Sequence, residues 1–208
     1  AMVITPHLNP KLPYDTFRDF APIALGATSP VVLVVDGLMQ EKGIPKNERL
    51  TIPKLKVPTP PQGESAAVEE AARMLVAAEN PVLVADRLAR TPNGITLLVE
   101  LAEALQASVI DQGGRMNFPW RHPLNHSSRA RAVLGQSDAV LGLELTDYMG
   151  TSRQVPRAAK RLSINASDLY MKSTYQSFER YTPVDLAMAA DSESTLPALT
   201  EEIKRLTD

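Results

Sequence analysis

An α/β fold built on a mostly parallel sheet is expected from three features of this chain. First, a helix runs straight into an apolar strand: Val68, Ala71, Ala72 and Leu75 repeat at helical spacing, and Asn80 leads into the run Pro81-Val-Leu-Val-Ala85. Second, helical and strand signals keep alternating to the C-terminus. Third, the strand Pro81–Ala85 is apolar throughout rather than at every other residue, as required of a sheet covered by helices on both faces.

Residues 1–30 read as an irregular N-terminal extension. Residues 31–62 combine a candidate strand, Pro30-Val-Val-Leu-Val-Val35, with a proline-rich connector. Ten of the 17 prolines lie in residues 1–62, and Pro53, Pro58, Pro60 and Pro61 crowd its end. Proline fixes φ and removes a donor, so this connector is expected to be stiff and extended. Residues 63–208 form the body. Its first helix and the strand Pro81–Ala85 are followed by a helix marked by Ile95, Leu98, Leu101, Ala102 and Leu105, then a short strand at Ser108–Asp111. Residues 112–126 are a long loop rich in Gly, Pro, Asn and His, a length that marks a functional or interface segment.

A short helix is expected over Arg129–Gln136, the central strand over Ala139–Leu145 and a weaker helical turn over Tyr148–Ala159. Strands at Leu162–Asn165 and Val184–Ala189 follow. The closing helix carries Leu196, Leu199, Ile203 and Leu206, with Asp191, Ser192 and Ser194 as cap candidates. About five short strands separated by helices fit a right-handed, doubly wound, Rossmann-like sheet.

The 208 residues, 44% of them apolar, suffice for one ordinary domain and an appendage. A formal net charge of −2 gives no reason to expect a nucleic acid or an anionic membrane as partner. The absence of cysteine removes disulfides, thiolate catalysis and Cys-ligated metals from consideration. No apolar run reaches the ~18 residues of a membrane span, and no signal-peptide pattern opens the chain, so a soluble, cytoplasmic protein is expected.

Several stretches, in this order, resemble the central domain of thiamine-diphosphate-dependent enzymes of the acetolactate synthase and benzoylformate decarboxylase type. They are Pro60-Pro-Gln-Gly-Glu with Ala66-Ala-Val-Glu-Glu-Ala-Ala-Arg, Glu79-Asn-Pro-Val-Leu-Val-Ala, Arg115-Met-Asn-Phe-Pro119 with Arg121-His-Pro-Leu124, Ser137-Asp-Ala-Val-Leu141 and Tyr181-Thr-Pro-Val-Asp-Leu-Ala-Met188. Residues 31–41 are similar to the family's exit from its preceding pyrimidine-binding domain. Ile4-Thr-Pro-His-Leu-Asn-Pro-Lys-Leu-Pro-Tyr-Asp-Thr-Phe-Arg-Asp-Phe-Ala-Pro-Ile23 instead resembles the solute receptors of tripartite tricarboxylate transporters. Together these imply a truncated or chimeric chain.

The resemblance implies a parent lyase or transferase acting on 2-oxo acids with thiamine diphosphate and Mg²⁺. The family holds that cofactor through a Gly-Asp-Gly motif with a downstream Asn and activates it with a glutamate of the pyrimidine domain. None of the ten glycines here is followed by Asp. A non-catalytic structural or assembly domain, with no cofactor of its own, is therefore expected.

Two alternatives stand beside this reading. One is an FAD- or ADP-like nucleotide module using Asp111, Gly113, Arg115, Glu144, Thr146 and Asn165 near the strand ends; the other is a fragment of a carboxylate-binding receptor. Against a nucleotide, Ala85-Asp-Arg replaces a glycine-rich turn of the family, Glu144 stands where glycine is usual, and Ala190-Asp191 replaces Gly-Asp. Asp86 and Glu144 would thus repel a polyphosphate and deny it close backbone approach.

The remaining polar candidates have plainer readings. His122 and His126 are spaced i, i+4, but Pro123 disfavours helix at His122, so a structural or interface role is expected over metal binding. His7 has no evident partner. Asp138 should cap the turn into its strand, and Asp147 and Asp168 should satisfy loop backbone. Arg129 and Arg131, two apart, do not converge on one phosphate. Trp120 reads as a subunit contact in preference to a lid over the sheet edge. A homo-oligomer built partly through residues 1–40, with the 112–126 loop as a second contact, is expected, and the resemblance implies the parent's catalytic domains as further partners.

Overall fold

The computed structural model describes residues 60–166 and 183–207. The N-terminal extension, the strand expected at Pro30–Val35, nearly all of the connector, His7 and Asp168 lie outside them. The described residues form α1 (Ser65–Val76), β1 (Pro81–Ala85), α2 (Pro92–Leu105), β2 (Ser108–Asp111), α3 (Ala130–Leu134), β3 (Ala139–Leu143), α4 (Tyr148–Ser152), β4 (Lys160–Asn165), β5 (Leu186–Ala189) and α5 (Ser192–Thr207). All strand pairs are parallel and the order is β2-β1-β3-β4-β5. Because β2 and β3 flank β1 on opposite sides, the order reverses there. The crevice at the carboxyl ends of β1 and β3 is therefore the topological switch point, where doubly wound sheets place their ligands.

The two-sided apolar strands have the expected cause. Leu83, Leu141, Leu143, Leu162 and Ile164 join Leu75, Leu98, Leu101, Leu196 and Leu199 in the main core under α1, α2 and α5. On the other side Val82, Val84, Ile110 and Val140 meet Leu134, Tyr148 and Val155 in a smaller core. β1, β3 and β4 thus bury both sets of side chains, whereas on the edge strand β5 Ala187 and Ala189 are exposed. Pro81 opens β1 and Pro92 sits in the first turn of α2, positions where a missing N–H costs nothing.

The boundaries depart from expectation in places, each with a local reason. β3 ends at Leu143, two residues early, because Glu144 adopts φ 52° and turns the chain, which sends Leu145 into the smaller core. The helical turn from Tyr148 stops at Ser152, and the following residues wrap around the Arg161 guanidinium. The segment at 129–136 divides into a 3₁₀ turn, Ser127–Arg129, and the short α3. β5 starts at Leu186 instead of Val184, since the Asp185 carboxylate is engaged with Lys160 Nζ and the Arg161 amide. Part of the long loop closes the sheet edge: Val109 N donates to Leu124 O and His126 N to Val109 O, each at 2.8 Å, so the outer side of β2 is partly paired.

Asp138 fastens the opposite, amino end of the sheet. Its carboxylate accepts from Glu79 N at 2.7 Å and Asn80 N at 2.9 Å, which ties the α1–β1 turn to the start of β3. Partial burial acts to raise its pKa, but these N–H groups and those of Asp138 and Ala139 outweigh it and hold the carboxyl below the usual range. A lowered folded-state value means that this stabilisation is present above the ordinary carboxylate pKa and is lost as pH falls through the lowered one. No described helix is long and apolar enough to cross a membrane.

Candidate functional site

The switch-point crevice is filled from within. Asp86, directly after β1 and 7% exposed, accepts from Thr146 N at 3.0 Å and Thr146 Oγ1 at 2.5 Å, so its carboxylate bridges the ends of β1 and β3. The loop after β2 passes so close that a Cβ on Gly114 would lie 1.9 Å from Asp86 Oδ1. Arg115 N in turn donates to Asp86 O. Only a residue without a side chain fits there. Gly113, the glycine expected at a ligand, has a left-handed φ of 79° and open space around it; Gly114 makes the close approach.

Asp111 organises the same loop. Its Oδ1 accepts from Gly113 N and its Oδ2 from the Asn117 and Phe118 amides, at 2.8, 2.9 and 3.1 Å. Asn117, fully buried, reaches Asp86 O and Asp111 Oδ1 with Nδ2 and accepts from Ala89 N. Arg115 Nη1 donates to Arg87 O at 3.1 Å.

A second group sits at the ends of β3 and β4. Glu144 accepts from Ala166 N and, at 3.1 Å, from Ser192 N, the first residue of α5. Asn165 Nδ2 donates to Leu145 O, which fixes the turn after Glu144. Beside it, Asp191 accepts from Ser194 N and from an Arg90 guanidinium nitrogen. Glu193 accepts from the amides of Arg90 and Thr91 and from Thr91 Oγ1, so it clamps the start of α2. Gly94 allows this, since a Cβ there would come within 2.7 Å of Glu193 Oε2.

The six residues expected at a nucleotide therefore do lie at the carboxyl end of the sheet. Asp111, Gly113 and Arg115 join Thr146 through Asp86, and Glu144 and Asn165 form the neighbouring set. What the arrangement does chemically is satisfy itself. The Thr146, Ala166 and Ser192 amides are donors of the kind that cradle phosphate at strand ends and helix N-termini. Here each already donates to a carboxylate of this chain. A phosphate brought to ~4 Å from one of these would meet a repulsion of roughly 1–4 kcal/mol per charge pair, depending on access of water.

Asn117, Glu193 and Gly114 were not singled out by the sequence. The only sign of Asn117 was its place in Arg115-Met-Asn-Phe-Pro119.

The histidines serve the loop. His122 Nδ1 accepts from Leu124 N, leaving Nε2 to donate to Glu103 at 3.3 Å, and its ring meets Phe118 edge-on. His126 Nδ1 pairs with Ser108 Oγ at 2.9 Å. Asp147 accepts from Gly150 N at the start of α4. Arg129 and Arg131 are exposed and line separate grooves, so they do not converge on one phosphate. Trp120 is 72% exposed and does not cover the sheet edge; backbone of Leu124–His126 does.

Residues 68–199 match the family described as "Thiamine pyrophosphate enzyme, central domain". Among solved structures, one from Mycobacterium smegmatis, assigned as a thiamin diphosphate-dependent enzyme, aligns with TM-score 0.54 and 22% identity over 72% of this chain and 30% of its own. Benzoylformate decarboxylase from Polynucleobacter necessarius aligns with TM-score 0.53 and 20% identity over 74% of this chain and 30% of its own. At such identities the likeness is one of fold, and the chain spans about 30% of the length of either protein. No curated protein sequence matches.

Proposed function

The chain belongs to the family of thiamine pyrophosphate enzyme central domains, and from that membership we propose that it is a non-catalytic structural domain that carries no nucleotide or thiamine cofactor of its own. The observation that carries this reading is the internal pairing at the switch point: Asp86 on Thr146 and Glu144 on Ser192. A cofactor-holding sheet keeps such donors for its ligand and uses glycine where backbone must approach phosphate. This chain places a glutamate in the left-handed conformation at Glu144, where φ 52° favours glycine. A left-handed non-glycine residue costs of order 1–3 kcal/mol and persists only where its surroundings fix it. The side chain's bonds to Ala166 and Ser192 supply that fixation.

The chemistry of a thiamine-dependent parent, cleavage or formation of bonds next to a 2-oxo group, would belong to other domains. No Gly-Asp pair is present to hold a cofactor's metal. The role left for this domain is to space and orient those partners. Titration of thiamine diphosphate with Mg²⁺ into the purified chain should give no saturable heat, and benzoylformate or pyruvate should not be decarboxylated. Saturation at micromolar thiamine diphosphate would overturn the reading.

A further inference from the structure

The layer built from residues 127–136 and 148–159 covers the smaller core and carries four arginines, Arg129, Arg131, Arg153 and Arg157, with no aspartate or glutamate. All four are exposed. Among the described residues the ion pairs involve Arg73, Arg90, His122, Lys160, Lys204 and Arg205, and none involves these four. The opposite layer behaves differently. Glu69, Glu103, Glu201 and Glu202 on α1, α2 and α5 each have a basic partner within the chain. Four carboxylates of the helical layer are thus neutralised within the chain, whereas the four arginines of the other layer have no acidic partner among the described residues.

Arg131 on α3 and Arg153 just beyond α4 face a shared groove of about 500 Å³, completed by Gly135 and Gln154. Its walls are side chains of fork-shaped donors and an amide, suited to carboxylates, which accept two parallel N–H bonds from a guanidinium. We propose that the Arg131–Arg153 groove, with Arg129 and Arg157 exposed on the same layer, is a docking surface for a carboxylate-rich segment of another protein.

Three features favour that occupant. The cations are all arginine, the residue enriched in protein interfaces. They are spread over two elements instead of converging in an enclosed pocket, as a small anion would need. The face has no exposed aromatic side chain on which nucleic-acid bases could stack, and the chain as a whole is acidic. On the chain's own helices Glu69, Glu103, Glu201 and Glu202 already have basic partners.

The test is fluorescence anisotropy of a labelled deca-glutamate peptide titrated with the full chain. Saturable binding is expected at low ionic strength, weakening about tenfold or more once salt brings the screening length to ~8 Å at 0.15 M. R131E/R153E should lose the peptide by at least the factor of ten that ~1.4 kcal/mol represents. K204E, on the opposite layer, should bind as wild type does. R131Q/R153Q serves as the milder variant, with far-UV circular dichroism as the check on folding. Absence of saturable binding would overturn the proposal, as would equal binding by folded R131Q/R153Q. So would a single-stranded oligonucleotide or tripolyphosphate binding as tightly as the peptide.

Discussion

Gly114→Ala should destabilise the domain by about 2–4 kcal/mol, near the upper end for a single added methyl group. Its Cβ would fall 1.9 Å from Asp86 Oδ1 and 3.0 Å from Asp86 O. Asp86 has no room to swing away, since its other oxygen holds Thr146 N and Oγ1. The effect should depend on Asp86. D86A alone should cost about 1–3 kcal/mol, because Thr146 loses its acceptor. Adding G114A to D86A should then cost less than about 1 kcal/mol, with the backbone oxygen of residue 86 as the remaining obstacle. Urea midpoints of the four proteins measure the coupling. Additive losses would mean that the carboxylate does not fill this crevice.

Arg161→Met should lower stability by about 3–4 kcal/mol, equivalent to a fall of roughly 10 °C in Tm. Arg161 is 8% exposed, and its guanidinium gathers the end of α4 and the chain up to β4. Nε donates to Ser152 Oγ at 2.9 Å, Nη1 to the carbonyls of Arg157 and Ala159 at 3.3 and 2.9 Å, and Nη2 to those of Val155 and Pro156 at 3.2 and 2.9 Å. Methionine fills similar space but leaves these acceptors without donors. Lysine keeps the charge yet cannot reproduce the fork, so R161K should recover only part of the loss. Thermal unfolding followed by circular dichroism decides it. A Met variant within 1 °C of wild type would show that this turn does not depend on the guanidinium.

The parts of the fold legible in the sequence were those written in local pattern. β1 was legible because Pro81–Ala85 is bounded by Asn80-Pro81 and buried on both faces, and β2 because Ser108–Asp111 lies between a periodic helix and a turn-rich loop. Where tertiary contacts decide, local pattern failed. Val140–Leu143 is apolar and Leu145 resumes the pattern after Glu144, so local pattern carries the strand on to Leu145, whereas the left-handed turn at Glu144 ends it. The helical pattern after Tyr148 runs on to Ala159 in the sequence, and nothing local reveals that Arg161 draws in the carbonyls of residues 155–159.

The site shows the same division. Asp86 and Glu144 were recognisable as carboxylates in places where the resembled family has glycine, but their partners were not. Thr146 is 60 residues from Asp86 and Ser192 is 48 from Glu144, distances bridged only by parallel register. Glu193 was hidden for the same reason. It lies in a stretch that reads as the cap of its own helix, yet it secures the start of α2, 102 residues earlier at Thr91.

Calorimetric titration of FAD into the wild-type chain, alongside D86G/E144G, tests most directly whether the chain's own carboxylates occupy the strand-end donors. The wild-type protein should give no saturable heat at millimolar FAD. The double variant frees the Thr146, Ala166 and Ser192 amides and removes two negative charges, and should show weak, millimolar uptake. Tight, micromolar binding of FAD by the wild-type chain would contradict the account.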